Sequence, residues 1–336
     1  MSKNQDDFFR RITPWAEYKN FILGYYLKPY FAKIKKLKKP ILLVDCCSGP
    51  GKFEDGADGS PLIMAKYLKE NFENGIKCCG IFIERRRDWF NQLENNLSCY
   101  SAYCDARSGD FQDYWQEICK LSKSHTIFVY LDPFGVEDLL FKNLLALLDT
   151  ISIGTSIELL YNWNCIGFLR WAIAALRGRE SAQAIFQEID QRYTEEIVDL
   201  DRADIQLLNQ IANGDYWQGI IKGHDLVNLC DCEGEMMHEY LSRFPKNLFK
   251  GNYAIRPKYG ALPKYHLIFF TRNHDALSLM NDVMAKARQD ALKKQFVENF
   301  LFDMTPKEVK QEKLLLKGYI LKAIEENPNT FFDPDI

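Results

Sequence analysis

A short apolar run that ends on an aspartate constrains the fold of this chain more than any other feature. Residues 41–44 are Ile-Leu-Leu-Val, Asp45 follows, and small residues then lead to Gly49-Pro50-Gly51. An apolar run of this length, closed by a glycine turn, is typical of a buried parallel strand. In doubly wound folds, ligands bind outside the carboxyl ends of such strands, where glycines let the backbone approach them closely. The stretch therefore predicts an α/β domain with a ligand site at this strand end.

Strand and helix patterns alternate through the next hundred residues. Further strands are predicted at 78–84, 100–104, 126–131 and 156–161, with helices at 60–71, 85–96, 111–121 and 139–148. Alternation at this pitch implies βαβ units and a mostly parallel sheet with helices on both faces. Two later strands, at 253–255 and 265–270, are predicted to pair antiparallel at one end of the sheet, before a helix at 273–300. The predicted fold class is α/β and Rossmann-like.

The pattern divides the chain into five segments. Residues 1–40 are helical, and Pro29 is expected to break the helix into two pieces. Residues 41–164 form the first part of the Rossmann-like core, and 165–250 carry helical patterns alone, which predicts an all-helical insertion. Residues 251–300 supply the end strands and a helix that complete the core, and 301–336 form a helical tail.

Acidic residues close the predicted strands. Asp45, Glu84 and Asp132 end the first, second and fourth, and Asp105 follows the third. Because the carboxyl ends of parallel strands share one edge, these acids are expected to line a common crevice. A carboxylate at the end of the second strand can accept both ribose hydroxyls of a bound nucleoside.

The spacing of these residues distinguishes between cofactors. Glu84 lies 39 residues after Asp45, and Glu54 stands where a dinucleotide fingerprint has its third glycine. That fingerprint places its acid roughly 20 residues downstream, so NAD and FAD are disfavoured. An acid-ended strand with Gly-x-Gly suits S-adenosylmethionine, whose ligand end carries an ammonium and a sulfonium and no phosphate.

Each of these residues is expected to bind a different part of S-adenosylmethionine. Glu84 is expected to bind the ribose. The residues expected at the methionine part are Asp45, Gly49 and Gly51. Asp105 or Asp110 is expected near the adenine.

Several motifs together resemble one known family. They are residues 44–53, Gly59-Ser60-Pro61-Leu62, Phe82-Ile83-Glu84, Leu131-Asp132-Pro133-Phe134-Gly135 and residues 265–272, with the helix around Lys19 and Tyr26-Leu27. In this order they are similar to the three-Cys-motif partner proteins over about residues 15 to 290. The resemblance implies a class I methyltransferase-like Rossmann fold. It also implies a partner protein with three cysteines, itself similar to radical S-adenosylmethionine enzymes. The chain departs from the family at Cys47-Ser48, where an aromatic residue and an alanine are usual.

The segment Asp132-Pro133-Phe134-Gly135 resembles the Asp-Pro-Pro-Tyr loop of amino-group methyltransferases. The resemblance implies that Asp132 orients the target amine and that Phe134 stacks on the base. Methyl transfer depends on holding the nucleophile in line with the methyl carbon, which is a matter of positioning. The alternative interpretation of this segment is a turn that ends a strand.

Three classes of function follow. The first is an S-adenosylmethionine-dependent methyltransferase acting on a nucleic-acid amine or a related nucleoside. The second is a non-catalytic Rossmann-fold module that binds nucleic acid or the three-cysteine partner. The third is a metal-dependent nuclease in which Asp45, Glu84, Asp105 and Asp132 hold Mg²⁺.

A basic segment with interleaved aromatic residues suggests a nucleic-acid surface. No acid interrupts it between residues 243 and 274. Its cations are Arg243, Lys246, Lys250, Arg256, Lys258, Lys264 and Arg272. Alternatively the aromatic residues face the core, which is the interpretation preferred for Phe269 and Phe270. The lysines at 33–39 are open to the same two interpretations, a solvated helix end or a phosphate-binding patch.

The cysteine spacing and the N-terminal sequence indicate the cellular environment of the protein. The ten cysteines include no C-x-x-C pair, and the adjacent pairs lie in apolar runs. We therefore expect reduced core thiols, no metal site and a cytoplasmic location. Cys230-Asp231-Cys232 with His224 and His238 has the wrong spacing for a zinc finger. The polar start predicts no signal peptide, and no stretch is long enough for a membrane span.

Overall fold

The computed structural model describes residues 9–133, 135–136, 140–152, 156–189, 204–224, 229–255 and 262–299. In these ranges one sheet contains seven strands. The strands are β1 (Ile41–Asp45), β2 (Cys78–Glu84), β3 (Cys104–Ser108), β4 (Thr126–Leu131), β5 (Ile157–Trp163), β6 (Phe249–Ile255) and β7 (Tyr265–Thr271).

The strand order across the sheet is β3-β2-β1-β4-β5-β7-β6. The first five strands pair in parallel, and β7 runs antiparallel to both of its neighbours, β5 and β6. The predicted fold class, an α/β Rossmann-like sheet with an antiparallel pair at one end, is confirmed. Chain order reverses between β1 and β4, which makes this the point where doubly wound folds bind ligands.

Helices cover both faces of the sheet. They are α1 (Pro14–Ile34), α2 (Ser60–Glu73), α3 (Arg87–Leu97), α4 (Phe111–Leu121), α5 (Phe141–Ser152), α6 (Cys165–Arg177), α7 (Arg179–Ile189), α8 (Ile205–Ala212), α9 (Tyr216–Gly223), α10 (Leu229–Ser242) and α11 (His274–Asn299). The described residues between β5 and β6 contain helices and no strand, as the sequence pattern predicts.

Alternate side chains of each strand enter two separate cores. Ile41 and Leu43 pack with α1, α2 and α11, whereas Leu42 and Val44 pack with α4, α5 and the helices that follow β5. Every residue of β1, β4, β5 and β7 is buried. Strands that are covered on both faces are apolar throughout instead of alternating, which is why these runs are continuous in the sequence.

The prediction that Pro29 breaks the first helix is wrong. Helix α1 continues through Pro29 to Ile34 and is followed by a single 3₁₀ turn. Proline removes one backbone hydrogen bond, but Tyr26 and Tyr30 on either side of it are fully buried against the sheet. This packing holds the helical path on both sides of the proline.

The predicted position of the third strand is also wrong. Residues 98–100 form a 3₁₀ turn, and β3 begins at Cys104. Register places Asp105 beside Ile81 and Ser108 beside Glu84, so Asp105 lies near the start of β3 and not at its carboxyl end. Both faces of β3 are only partly covered, and the strand therefore lacks the apolar run that marks its neighbours.

Other elements agree more closely with the sequence. Helix α4 and strands β2 and β4 have the predicted bounds, and Phe269 and Phe270 are completely buried. The predicted tail at 301–336 lies outside the described residues. In the described ranges, no helix combines the length and apolar character needed to span a bilayer.

Candidate active site

Three of the predicted acids meet at the carboxyl edge of the sheet. Asp45 ends β1, Glu84 ends β2, and Asp132 directly follows β4. Strand register places Asp45 beside Phe82 of β2 and Tyr130 of β4, each two residues before the acid that follows it, so the three carboxylates lie near one another. They lie around the reversal of chain order between β1 and β4.

Asp45 is fully buried and held by two donors. The Ser60 hydroxyl donates to Oδ2 at 2.7 Å, and the backbone N–H of Cys47 donates to Oδ1 at 3.3 Å. Burial is the main cause that raises the pKa of Asp45 to about 7. Ser60 is the first residue of α2, and Gly59 is its N-cap. The Ser60 hydroxyl therefore binds Asp45 and does not cap the helix.

Glu84 binds the backbone of two turns. Its Oε2 accepts the N–H of Gly49 at 2.8 Å, and its Oε1 accepts the N–H of Arg86 at 2.7 Å. Burial raises its pKa, and these two hydrogen bonds oppose the rise. Because a carboxylate has about four acceptor positions, each oxygen keeps capacity for a further donor.

The glycines of the turn have left-handed backbones. Gly49 has φ 62° and Gly51 has φ 84°, conformations that disfavour a side chain. A Cβ on Gly49 would lie 2.6 Å from the ring of Phe9, and one on Gly51 would lie 3.2 Å from Leu93. Backbone conformation therefore favours glycine at both positions, and packing against Phe9 adds to this at Gly49.

Phe9 forms a wall over the glycine turn. Its ring lies 4.8 Å from that of Trp89 in an edge-on arrangement and 5.4 Å from that of Phe53. Its carbonyl accepts the N–H of Glu54 at 2.8 Å. The Arg86 guanidinium lies 3.7 Å from the Trp89 ring. Phe9 cannot be identified as a site residue from the sequence, since a single aromatic residue near a terminus belongs to no pattern.

The two residues proposed for the adenine end lie in different places. Asp105 is exposed in an ion pair with Arg107 at 2.8 Å and does not reach the carboxyl edge. Asp110 follows β3 at that edge, where it begins α4 in a reciprocal capping box with Asp113. The N–H of Gly109 donates to the carbonyl of Glu84 at 3.1 Å, which brings this turn beside β2. Of the two, Asp110 is the one that lies at the carboxyl edge, and its role near an adenine stays a prediction.

Asp132 is the centre of a polar network. Lys19 donates to Oδ2 at 2.6 Å and Tyr130 donates to the same oxygen at 3.0 Å, while the Asn162 amide donates to Oδ1 at 2.6 Å. The Lys19 side chain is only 7% exposed and that of Asp132 is 21% exposed. Lys19 also lies 4.7 Å from the centre of the Tyr265 ring. The negative charge of Asp132 is thus balanced by a cation from α1.

A cleft opens next to Asp132 at the ends of β4 and β5. It is shallow, with room for about one water molecule in its enclosed part, and its volume reaches about 220 Å³ only when the open solvent at its mouth is included. Its lining residues are Pro133, Gly135, Val136, Tyr161, Asn162, Trp163 and Asn164. The Oδ1 atom of Asn162 is buried and has no hydrogen-bond partner among the described residues. Phe134, the predicted stacking residue, lies outside the described residues.

The predicted basic surface is only partly present. Lys246 and Arg272 are exposed, whereas Arg243 contacts the carbonyl of Asn213 at 3.1 Å and Lys250 contacts that of Leu241 at 3.3 Å. Lys264 is buried with its Nζ 3.8 Å from the Trp15 ring. Its inclusion in a phosphate-binding surface is therefore wrong. Arg256 and Lys258 lie outside the described residues.

Comparison with known proteins gives likenesses of fold alone. No protein-family model matches this chain, and no curated protein does. A structure from Legionella pneumophila is 10% identical, with 81% of this chain and 90% of that one covered and a TM-score of 0.43. A protein from Porphyromonas gingivalis W83, described provisionally as a methyltransferase, is 17% identical over 41% of this chain, with a TM-score of 0.26. This chain spans 31% of the length of that protein.

A third structure is described as geranyl diphosphate C-methyltransferase from Streptomyces coelicolor A3(2), in complex with S-adenosyl-L-homocysteine among other ligands. It is 11% identical, with 73% of this chain and 76% of that one covered and a TM-score of 0.27. Likenesses of this degree carry no argument about reaction or substrate. The strand order and the single antiparallel strand β7 are features of the chain itself. They give it a Rossmann-like fold of the class I methyltransferase type.

Proposed function

We propose that this chain is an S-adenosylmethionine-dependent methyltransferase that acts on an amine of a nucleic acid or a related nucleoside. The observation that carries the proposal is the meeting of Asp45, Glu84 and Asp132 at the reversal of strand order, beside a cleft. Ligands of doubly wound folds bind at this place. Two buried acids suit a ligand that has a cationic group and hydroxyls and lacks phosphate.

The residues at this edge of the sheet fit S-adenosylmethionine. A cationic group beside Asp45 would stabilise its ionised form, which burial now disfavours. Glu84 keeps acceptor capacity for ribose hydroxyls, and the Gly49 and Gly51 backbone would border the methionine part. Asp110 would lie near the adenine. When bound, S-adenosylmethionine supplies an electrophilic methyl group.

The acceptor would enter the cleft beside Asp132. Asn162 lines the cleft and its amide N–H donates to Asp132, while its Oδ1 is buried behind the cleft surface next to the Asp132 carboxylate and has no partner among the described residues. Two oxygens in this position would hold both N–H groups of an amine and fix the direction of its lone pair. Orientation of this kind is the main contribution that a methyltransferase site makes. Phe134 would supply the stacking surface.

A non-catalytic binding module is the second candidate, and the Lys19–Asp132 ion pair favours it. The Lys19 ammonium already occupies Asp132 Oδ2 at 2.6 Å, one of the oxygens that a target amine would use. Such a module would bind nucleic acid or a three-cysteine partner protein. The exposed Lys246 and Arg272 would contribute to a nucleic-acid surface.

The nuclease alternative receives no support from the described residues. Asp105 lies away from the edge in its pair with Arg107, and Asp132 is paired with Lys19. The carboxylates of Asp45, Glu84 and Asp132 do not converge tightly enough to form a metal-ligating group within the described ranges.

Transfer of a labelled methyl group tests the proposal. The chain is incubated with methyl-labelled S-adenosylmethionine and with RNA, DNA or free nucleosides, and label in the acceptor is counted. We expect transfer by the wild type and a loss of about 100-fold in Asp132→Asn, because misplacement of the acceptor has costs of this order. Asp105→Asn is the matched control, with an acid removed away from the site, and should stay within about twofold.

The outcomes separate the candidates. Binding of S-adenosylhomocysteine without transfer to any of these acceptors would contradict the methyltransferase proposal and favour the binding module. Equal loss in Asp132→Asn and Asp105→Asn would contradict the assigned role of Asp132. Absence of binding would contradict both the methyltransferase and the cofactor assignment.

A further inference from the structure

Three buried side chains with metal-binding atoms converge behind the cleft. They are Cys165 at the start of α6, Glu233 in α10 and His266 in β7, and their ligand atoms all lie within 4.8 Å of one another. Their exposures are 2%, 3% and 3%. Asn164, which borders the cleft, directly precedes Cys165. None of the three contributes to the proposed methyl-transfer site.

The hydrogen bonds of His266 leave one ring nitrogen aimed into the cluster. Nδ1 lies 2.8 Å from Oδ1 of Asn252 and donates to it in the tautomer that carries its proton on Nδ1. Metal-binding histidines are almost always held by such a bond from the other ring nitrogen. In the neutral ring, Nε2 is then an acceptor, and it faces Glu233 Oε1 at 2.5 Å.

Two acceptors at this distance require a cation between or beside them. A proton can take this role, giving an imidazolium–carboxylate pair, and so can a divalent metal ion. The Cys165 thiol, which donates to the Pro263 carbonyl at 3.1 Å, favours the metal. On metal binding it would release its proton to water and become a thiolate, a strong ligand for Zn²⁺. One Zn²⁺ with one thiolate, one carboxylate and one neutral imidazole has no net charge, which lowers the cost of burying each group.

We propose that Cys165, Glu233 and His266 bind one Zn²⁺. Zinc bonds are about 2.3 Å to sulfur and about 2.0–2.2 Å to nitrogen and oxygen, so the His266–Glu233 contact would widen by about 1 Å on binding. Three protein ligands leave a fourth position for water or for a ligand atom from the cleft. The ion would join the helices after β5 to the antiparallel end of the sheet.

Metal content and a spectroscopic probe test the site on the full, tag-free chain. The protein is stripped with a chelator, dialysed against zinc chloride and assayed for bound zinc, and Co²⁺ is added to a second sample. We expect about one zinc per chain and a thiolate-to-Co²⁺ charge-transfer band. Cys165→Ser should abolish the band and weaken zinc binding more than tenfold, since loss of a direct ligand costs at least as much as loss of a residue that orients one.

Cys232→Ala is the matched control. Cys232 is fully buried and adjoins Glu233 in the chain, but it is not one of the three ligands. This variant should keep the band and bind zinc within about twofold of the wild type. Less than about one-tenth of a zinc per chain in the wild type, or no charge-transfer band, would overturn the proposal whether or not the variants fold. Unchanged zinc binding in a folded Cys165→Ser variant would also overturn it.

Discussion

Ligand binding at the strand ends should depend on pH through Asp45. Burial, together with the smaller effect of the Asp132 and Glu84 charges, raises the pKa of its carboxyl to about 7. A ligand ammonium next to Asp45 requires the ionised carboxylate. Because the pKa is raised, ionisation is complete only well above pH 7, and affinity for S-adenosylhomocysteine should be lost as the pH falls through this value.

The size of the effect follows from the fraction of Asp45 that is ionised. A group with a pKa of about 7 is about nine-tenths ionised at pH 8 and about one-tenth ionised at pH 6. If only the ionised form binds, the Kd is about tenfold higher at pH 6 than at pH 8, or about 1.4 kcal/mol. An acid with an ordinary pKa near 4 would give no change over this interval.

Calorimetric titration with S-adenosylhomocysteine at both pH values measures this change. Asp45→Asn is the control, because asparagine can still accept the Ser60 hydrogen bond but cannot ionise. Its Kd should be at least about tenfold higher than that of the wild type at pH 8, and nearly the same at pH 6 and pH 8 because the variant has no carboxyl to titrate at this position. A wild-type Kd that does not change with pH, or an equal change in Asp45→Asn, would refute the reasoning.

Three further predictions concern stability. Burial raises the pKa of Glu158 to about 7, so the stability that its neutral carboxyl contributes is present below its ordinary pKa and is lost as the pH rises through 7. In denaturant titrations, the free energy of unfolding of the wild type should fall by about 3 kcal/mol relative to that of Glu158→Gln between pH 4 and pH 8. Parallel curves of unfolding free energy against pH for the two proteins would contradict this. Lys19→Met leaves Asp132 without its cation and should lower the free energy of unfolding by about 2 kcal/mol at low salt, whereas no loss would show that the pair contributes nothing. Gly49→Ala puts a side chain on a left-handed backbone and against the Phe9 ring, so it should lower the free energy of unfolding by more than about 1 kcal/mol in thermal unfolding. The double variant with Phe9→Ala should recover only part of this loss. Full recovery would show that the backbone is unstrained.

The parallel core could be predicted because strands buried on both faces are apolar along their whole length, and such runs are visible in the sequence. The apolar runs of β1, β2 and β4 are continuous, and each ends at the residue where the chain emerges at the edge of the sheet. Asp45, Glu84 and Asp132 were therefore predictable as neighbours. Strand β3 is only partly covered, so its residues carry no such run, and the prediction placed Asp105 at the wrong end of it.

Contacts made by distant parts of the chain could not be predicted. Lys19 reaches Asp132 across 113 positions of sequence, and neither residue type nor spacing indicates this pair. Asn162 lies in a buried, mostly apolar strand, and no sequence pattern indicates that its side chain contacts Asp132. Cys165, Glu233 and His266 lie on three elements whose packing, and not their spacing, brings them together.

A crystal structure of the chain with S-adenosylhomocysteine tests the central claim most directly. The account predicts electron density at the carboxyl ends of β1, β2 and β4, with the ribose hydroxyls on Glu84, the ammonium next to Asp45 and the sulfur directed toward the cleft beside Asp132. Density elsewhere, or none at a saturating ligand concentration, would contradict the assignment of this edge as a cofactor site.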